Sequence, residues 1–393
     1  MRLGATLTRV RDRVVRGRRP ARPAAQLRAA VPDASDPRRA AARAAAAVGV
    51  DIGSAWIKIV ELIGGRDGFS VRARLTVPTP PGTVRGGRIS FPPVVGRVLR
   101  DALSHAGIRT RRAVASVSGH VSLVREVRLP RLSGDELREA ARFEVMRYLP
   151  YPITEATYDA FVLGEVPDTG AARMEVLLAA ARTDLLAQHV DTLRAAGLEP
   201  AVIDVEPFAL LRAMVPAGTP AGRPGLYLHM GATHTGILIV DGTTPRVARS
   251  VVGGGNVITQ RIAAQRGLSL EEAETYKIRL SGHDVPEGEA RTIEGLLRDA
   301  VADLTLEVRR SIDYFQGQYR GVMPDRAVLT GGGAMLPGLP RLLGIELDMP
   351  AQVGDPFRQL ARSAQPGDAG PAPDHGAPLA VALGLALRGV EEP

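Results

Sequence analysis

Four residues within one stretch, "VGVDIGSAWIKIVEL" (Val48 to Leu62), have the types and spacing to handle an anion: Asp51, Gly53, Ser54 and Lys58. A turn such as Gly53-Ser54-Ala55 between two strands points successive backbone N–H groups at one spot, and glycine lets the chain approach a bound group closely. Asp51, at the end of the incoming strand, can hold a magnesium ion through water, and Lys58 across the hairpin can reach phosphate oxygens. Far along the chain, "LYLHMGATHTGILIV" (Leu226 to Val240) repeats the outline, with His229 in the place of Asp51. Two such loops facing each other across a cleft would grip a polyphosphate from both sides. A third glycine turn, Gly331-Gly332-Gly333 between a strand and a helix, offers further backbone approach to a nucleotide. The chain has 48 Arg and only two Lys, Lys58 and Lys277. A compact ammonium fits where a broad guanidinium does not, so both lysines are candidates for confined sites beside phosphate or sugar oxygens.

Alternating strand and helix patterns must position these residues. "VGVDIG" and "IKIVEL" read as a hairpin, "FSVRARLTV" as a third strand, and Pro92 to Ala106 as a helix with Val94, Val95, Val98, Leu99 and Leu103 on one side. "RRAVASVSG" is a strand. In "LSGDELREAARFEVMRYLPYPI", Ser133 is the expected N-cap, Glu136 occupies the capping-box position, and Pro150 and Pro152 mark the expected end. "MEVLLAAA" is a buried strand and Leu185 to Ala196 a helix stopped by Gly197. The pattern repeats through "PAVIDVEPFALLRAM", the hairpin at 226–240 and a long helical region from Leu270 through Tyr319. "RAVLTGGGAMLPGL" is then a strand running into a glycine turn and helix, and Leu379 to Leu387 a closing helix. The class is mixed α/β with two similar halves.

Composition removes several functions. A chain of 393 residues with 45% hydrophobic content fills the cores of two or more domains. The absence of Cys excludes disulfides, thiol chemistry and Cys-rich metal sites, and a cytoplasmic location fits. No apolar run approaches the roughly 20 residues of a membrane span, and the Arg-rich start lacks the apolar core of a secretory signal. The net charge of +8 suggests a nucleic-acid partner until it is located. Residues 1–47 hold twelve Arg against three Asp, so the remainder is close to neutral and a nucleic-acid core function is dropped. This Arg-, Ala- and Pro-rich segment is expected to be a disordered tail, with Leu3, Leu7, Val10 and Val14 on one helical face that could lie on anionic lipid.

"DIGSAWIK" resembles the first phosphate loop of the actin-like ATPases, and "LTGGGAMLPGL" their adenosine-contacting loop. Nearly the whole chain from Val48 resembles the PilM family of type IV pilus assembly, an FtsA-like branch of that superfamily. The marks are "SVSG" at 116–119, "LPRLSGDELREAARFEVMRYLPYPI", "AARTDLLAQHVDTLRAAGLEPAVIDVEPFALLRA", "GGGNVIT" followed by "SLEEAETYK", and "AVALGLALR".

The resemblance implies an actin-like, ribonuclease H-like duplicated fold: a first lobe over 48–212 with an inserted FtsA/PilM-type subdomain at about 121–196, a second lobe over 213–378 with a Pro/Gly-rich loop at 364–378, and a closing helix, 379–393, packing back on the first lobe. It implies ATP or ADP with Mg2+ as cofactors. Asp51, Gly53, Ser54 and Lys58 would meet phosphate and magnesium, and Glu206 would orient metal-bound water. Gly231, Ala232 and Thr233 would form the second loop, Glu274 and Lys277 would hold the ribose, and Gly331, Gly332, Gly333 and Met335 would line the adenosine. The departure is His229, where the superfamily usually has an Asp tied to magnesium and hydrolysis; imidazole is a poor magnesium partner. A hydrogen-bonded histidine packed at a strand end is favoured over a general base, so binding is expected with weak or no hydrolysis. The implied partner is the N-terminal peptide of a PilN-like protein at the cytoplasmic face of the inner membrane, with PilO-like platform proteins and a pilus motor ATPase as indirect partners and self-association as a further possibility. The alternative readings are an active actin-like ATPase and an FtsA-like membrane-associated filament former.

Overall fold

The computed structural model describes residues 46–65, 68–166, 173–280, 287–319, 321–361 and 376–391. Residues 1–45 of the expected tail and 364–375 of the Pro/Gly-rich loop lie outside the described residues, while Ala46 and Ala47, expected in the tail, already belong to the first strand. The chain opens with β1 (Ala46–Ile52), β2 (Trp56–Gly65) and β3 (Gly68–Pro78), followed by a small hairpin of β4 (Val84–Arg85) and β5 (Arg88–Ile89). Helix α1 (Pro92–His105) leads to β6 (Arg112–Val117), which lies parallel to β1. The chain then leaves this sheet through a 3-10 turn (Gly119–Val121) and builds β7 (Ser122–Pro130), α2 (Gly134–Met146), β8 (Ala156–Val166), β9 (Arg173–Arg182) and α3 (Thr183–Ala195). Strand β10 (Glu199–Val205) rejoins it, giving the order β10-β6-β1-β2-β3, while β7-β9-β8 form a separate sheet covered by α2.

Helix α4 (Glu206–Met214) crosses to the second half, made of β11 (Gly225–Met230), β12 (His234–Asp241), β13 (Thr244–Val252), α5 (Gly255–Arg266), α6 (Leu270–Leu280), α7 (Glu287–Gln318), β14 (Ala327–Thr330), α8 (Leu339–Leu347) and β15 (Ala351–Val353). Its sheet order, β13-β12-β11-β14-β15, is the first order over again: an antiparallel meander of three strands, then two parallel strands on the side of the first. A short α9 (Arg358–Ala361) and α10 (Ala380–Glu391) complete the chain.

Strands β1 and β11 are central and buried on both faces, which is why each reads as a nearly continuous apolar run. Helix α10 is buried on every side from Ala380 to Leu387, consistent with the apolar sequence of that stretch. It lies against β1 so closely that a Cβ at Gly49 would stand 1.9 Å from the Ala382 carbonyl oxygen, and against α4 so closely that one at Gly384 would stand 1.8 Å from that of Ala209.

Several details depart from the sequence reading. In α1 the inward face is Val95, Leu99 and Leu103, and Val94, about 100° round the helix, is exposed. Ser133 has the extended N-cap backbone, but its side chain makes no cap bond. Helix α2 stops at Met146, before the prolines: Tyr148 N–H and Leu149 N–H both donate to the Val145 carbonyl, and the residues preceding Pro150 and Pro152 disfavour helix. The region from Leu270 is two helices, and α5 before it is an element the periodicity did not reveal; its apolar residues are too few to form a stripe.

Candidate functional site

The antiparallel register sets Asp51 opposite Lys58, and the lysine Nζ donates to Asp51 Oδ2 at 2.8 Å. Between them Gly53 N–H donates to the Trp56 carbonyl at 3.0 Å, closing the turn. A Cβ at Gly53 would lie 2.8 Å from that carbonyl oxygen, so the tight return requires glycine. Thr79, just beyond β3, pins the loop from outside, its Oγ1 donating to the Gly53 carbonyl at 2.8 Å and its N–H to that of Ala55 at 2.9 Å.

The second hairpin repeats this turn: Gly231 N–H donates to the His234 carbonyl at 2.9 Å. Its loop is then tied to the start of α5, where Gly255 N–H donates to the Gly231 carbonyl, Asn256 N–H to that of Ala232 and Gly253 N–H to that of Thr233. The two loops meet, with Ser54 Oγ 3.4 Å from Thr233 Oγ1.

Asp51 and His229 hold equivalent places, each next to last in its strand, but their surroundings differ. Asp51 faces a lysine, whereas His229 is paired in register with Gly236. Missing a side chain, Gly236 leaves room for Glu206, the first residue of α4: a Cβ there would stand 3.0 Å from Glu206 Oε1. Glu206 Oε2 accepts bonds from Ser118 Oγ and Gly119 N–H, both at 3.2 Å. Enclosure by protein, and next the negative charge of Asp51, push the Glu206 carboxyl up to about 6. His229 is buried, and burial together with the Lys58 charge brings its imidazole down to about 4, so it is neutral at pH 7. Its Nδ1 lies 3.0 Å from Thr330 Oγ1, and that hydroxyl is also 3.4 Å from the Leu228 carbonyl oxygen.

Lys277, the other lysine, is buried and ties α6 to α5, donating to Glu274 Oε2 at 2.6 Å, Thr259 Oγ1 at 2.7 Å and the Gly255 carbonyl at 3.1 Å. Gly331, at φ +85°, donates its N–H to the Ala377 carbonyl, and a Cβ there would lie 2.4 Å from the Met230 carbonyl oxygen. Gly332, Gly333 and Met335 continue this turn, with Gly333 against the Met230 side chain. The candidates from Gly231 to Gly333 thus converge on the end of β11, and the Ser54–Thr233 contact joins them to the first hairpin.

Among the described residues no group of three or more His, Asp or Glu could hold a metal alone. Two carboxylates, Asp51 and Glu206, interact across the junction of the loops. That is the donor set magnesium uses when nucleotide phosphates and water supply the remaining ligands, so the residues fit a metal brought with a nucleotide. The sequence reading did not single out Ser118, His120, His234, Thr259 or Thr330. The duplicated topology carries a signal for the first: Ser118-Gly119 follow β6 just as the glycine turn at 331 follows β14.

Comparison with known proteins agrees with this architecture. A family model described as type IV pilus assembly protein PilM matches residues 49–390. A chain of a solved PilM-PilN type IV pilus biogenesis complex is 32% identical, with 88% of this chain and 99% of that one covered and a TM-score of 0.76. Ethanolamine utilization protein EutJ from Carboxydothermus hydrogenoformans, at 18% identity, 88% and 91% coverage and a TM-score of 0.53, shares the fold. So does diol dehydratase-reactivating factor in nucleotide-free form, at 12% identity, 88% and 100% coverage and a TM-score of 0.51. The duplicated sheets are those of the actin-like fold, and the chain belongs to the type IV pilus assembly protein PilM family.

Proposed function

We propose that this chain is a nucleotide-binding scaffold of the type IV pilus assembly platform, holding ATP or ADP with magnesium between its two hairpins and docking the N-terminal tail of a PilN-type partner at the cytoplasmic face of the inner membrane. The observation that carries the pilus assignment is the likeness to a chain of the PilM-PilN complex over nearly the whole described length. The nucleotide part is supported by the two matching glycine turns meeting at Ser54 and Thr233. Asp51 and Glu206 would hold the metal, Lys58 would face phosphate, and Lys277 with Glu274 would be placed for the sugar. No helix of the described residues is long and apolar enough to cross a membrane, so membrane association would come through partners or the basic tail.

Hydrolysis is expected to be weak. His229 is neutral, its Nδ1 is engaged with Thr330, and nitrogen is a poor ligand for magnesium. Two titrations test the proposal: a fluorescent ADP analogue with magnesium, and a synthetic peptide of the PilN-type cytoplasmic N-terminus. Saturable binding of both is the expected result. Absence of nucleotide binding removes the first half of the reading, and absence of peptide binding, with and without nucleotide, removes the second.

A further inference from the structure

His120 and His234 belong to different halves of the chain, yet their rings stack with centroids 3.4 Å apart and planes 6° from parallel. His120 lies in the 3-10 turn between β6 and β7, beside the β4–β5 hairpin, where a Cβ at Gly87 would stand 3.2 Å from its Cε1. His234 is the first residue of β12. Each ring is also bonded to a hydroxyl of the candidate site. His120 Nδ1 lies 2.9 Å from Ser118 Oγ, which donates to Glu206; His234 Nδ1 lies 2.9 Å from Thr233 Oγ1, which faces Ser54.

The short distance between Ser54 and Thr233 has a mechanical consequence. One oxygen accepting from both hydroxyls would hold them roughly 4.5 Å apart, since each O–H···O bond is about 2.7 Å long. The observed separation is 3.4 Å, so a phosphate oxygen taken between them at an ordinary acceptor angle moves the two hydroxyls apart by about 1 Å. Thr233 cannot move in this way without disturbing His234, and His234 cannot move without disturbing the ring stacked on it. The His120 turn leads directly into β7, whose Glu126 is held again by Arg246 and Tyr319 of the second half.

We propose that His120 and His234 are a positioning pair that transmits occupancy of the second hairpin loop to the 118–127 segment and so to the β7-β9-β8 sheet. The inference rests on the nucleotide reading and adds to it a route and a direction. The pair acts through Thr233 on one side and, through the ring stack, on the backbone of the His120 turn on the other. Because coupling free energy is reciprocal, whatever docks on that sheet alters nucleotide affinity through the same contact.

The test is amide hydrogen exchange of residues 118–127 in the full chain, with and without magnesium and ADP, alongside titration of a fluorescent ADP analogue. Wild type is expected to bind and to change its exchange in this segment by severalfold. His120→Ala is expected to bind but to lose at least two thirds of that change, whereas His120→Phe, which keeps a flat ring without Nδ1, retains most of it. A merely structural role predicts faster exchange in His120→Ala with an undiminished nucleotide response, and that result overturns the proposal. If His120→Ala does not fold, His120→Leu fills the space without a stackable ring and takes its place. Wild type that binds ADP without any change in 118–127 refutes the coupling alone; wild type that binds no ADP refutes the nucleotide reading and the coupling with it.

Discussion

His229 Nδ1 stands 3.0 Å from Thr330 Oγ1, a hydrogen bond between the adjacent parallel strands β11 and β14 at the place where the first hairpin presents Asp51. Burial, and next the Lys58 charge, keep the ring neutral. The folded imidazole titrates near 4 and the unfolded one near 6.5, so the unfolded chain takes up a proton that the fold refuses as pH falls through that window. Stability is therefore expected to decline below pH 6.5, by about 3 kcal/mol from this residue once pH 4 is reached. Urea unfolding of wild type and His229→Gln at pH 7.5, 6 and 5 should show the gap between them shift in favour of the variant toward acid.

Glu206 behaves with the opposite sign. Its folded value, about 6, lies above the ordinary 4.5, so the fold holds a proton that the unfolded chain releases between those values, and stability is lost as pH rises through them. Glu206→Gln keeps an oxygen for Ser118 and Gly119 while removing the charge facing Asp51. It is expected to be more stable than wild type by about 2 kcal/mol at pH 7.5 and by much less at pH 5, measured by thermal unfolding without nucleotide.

Lys58 supplies the positive charge between these acids. Lys58→Ala leaves Asp51 without its 2.8 Å partner and removes an interaction that lowers the Glu206 value. A stability loss of about 1–3 kcal/mol is expected, together with at least about tenfold weaker binding of an ADP analogue. Lys58→Arg should not restore binding, because a planar guanidinium needs more room than this turn offers.

Arg246, from β13, holds the three-stranded sheet by bonds to Glu126 Oε2 at 3.1 Å and Glu175 Oε2 at 2.9 Å, with Tyr319 Oη donating to Glu126 Oε1 at 2.9 Å. Burial raises the Glu126 carboxyl, and Arg246 opposes that effect. Arg246→Met leaves two glutamates facing each other with little solvent, at an expected loss of about 3 kcal/mol. The double variant Arg246→Met, Glu126→Gln should recover part of it; unfolding of the single and double variants measures the recovery.

Much of the fold was readable because its signals are local. Alternation and apolar runs marked both hairpins, and turn glycines marked 53, 231 and 331, each at a point where a Cβ would meet backbone. Helix α5 escaped because it is wedged by glycines and polar residues between loop 231–233 and α7 and has no apolar stripe to announce it.

The sequence by itself determined that the two hairpins are equivalent, that a carboxylate in one is an imidazole in the other, and that Lys58 lies across the first hairpin from the strand that carries Asp51. Only the tertiary structure decided that Glu206 occupies the space Gly236 leaves, that Thr330 engages His229, and that His120 stacks on His234. These are meetings of residues 30, 101 and 114 positions apart. Such pairs are set by which strands lie side by side and how the two sheets face each other, and no periodicity along a chain encodes that until its buried faces have packed.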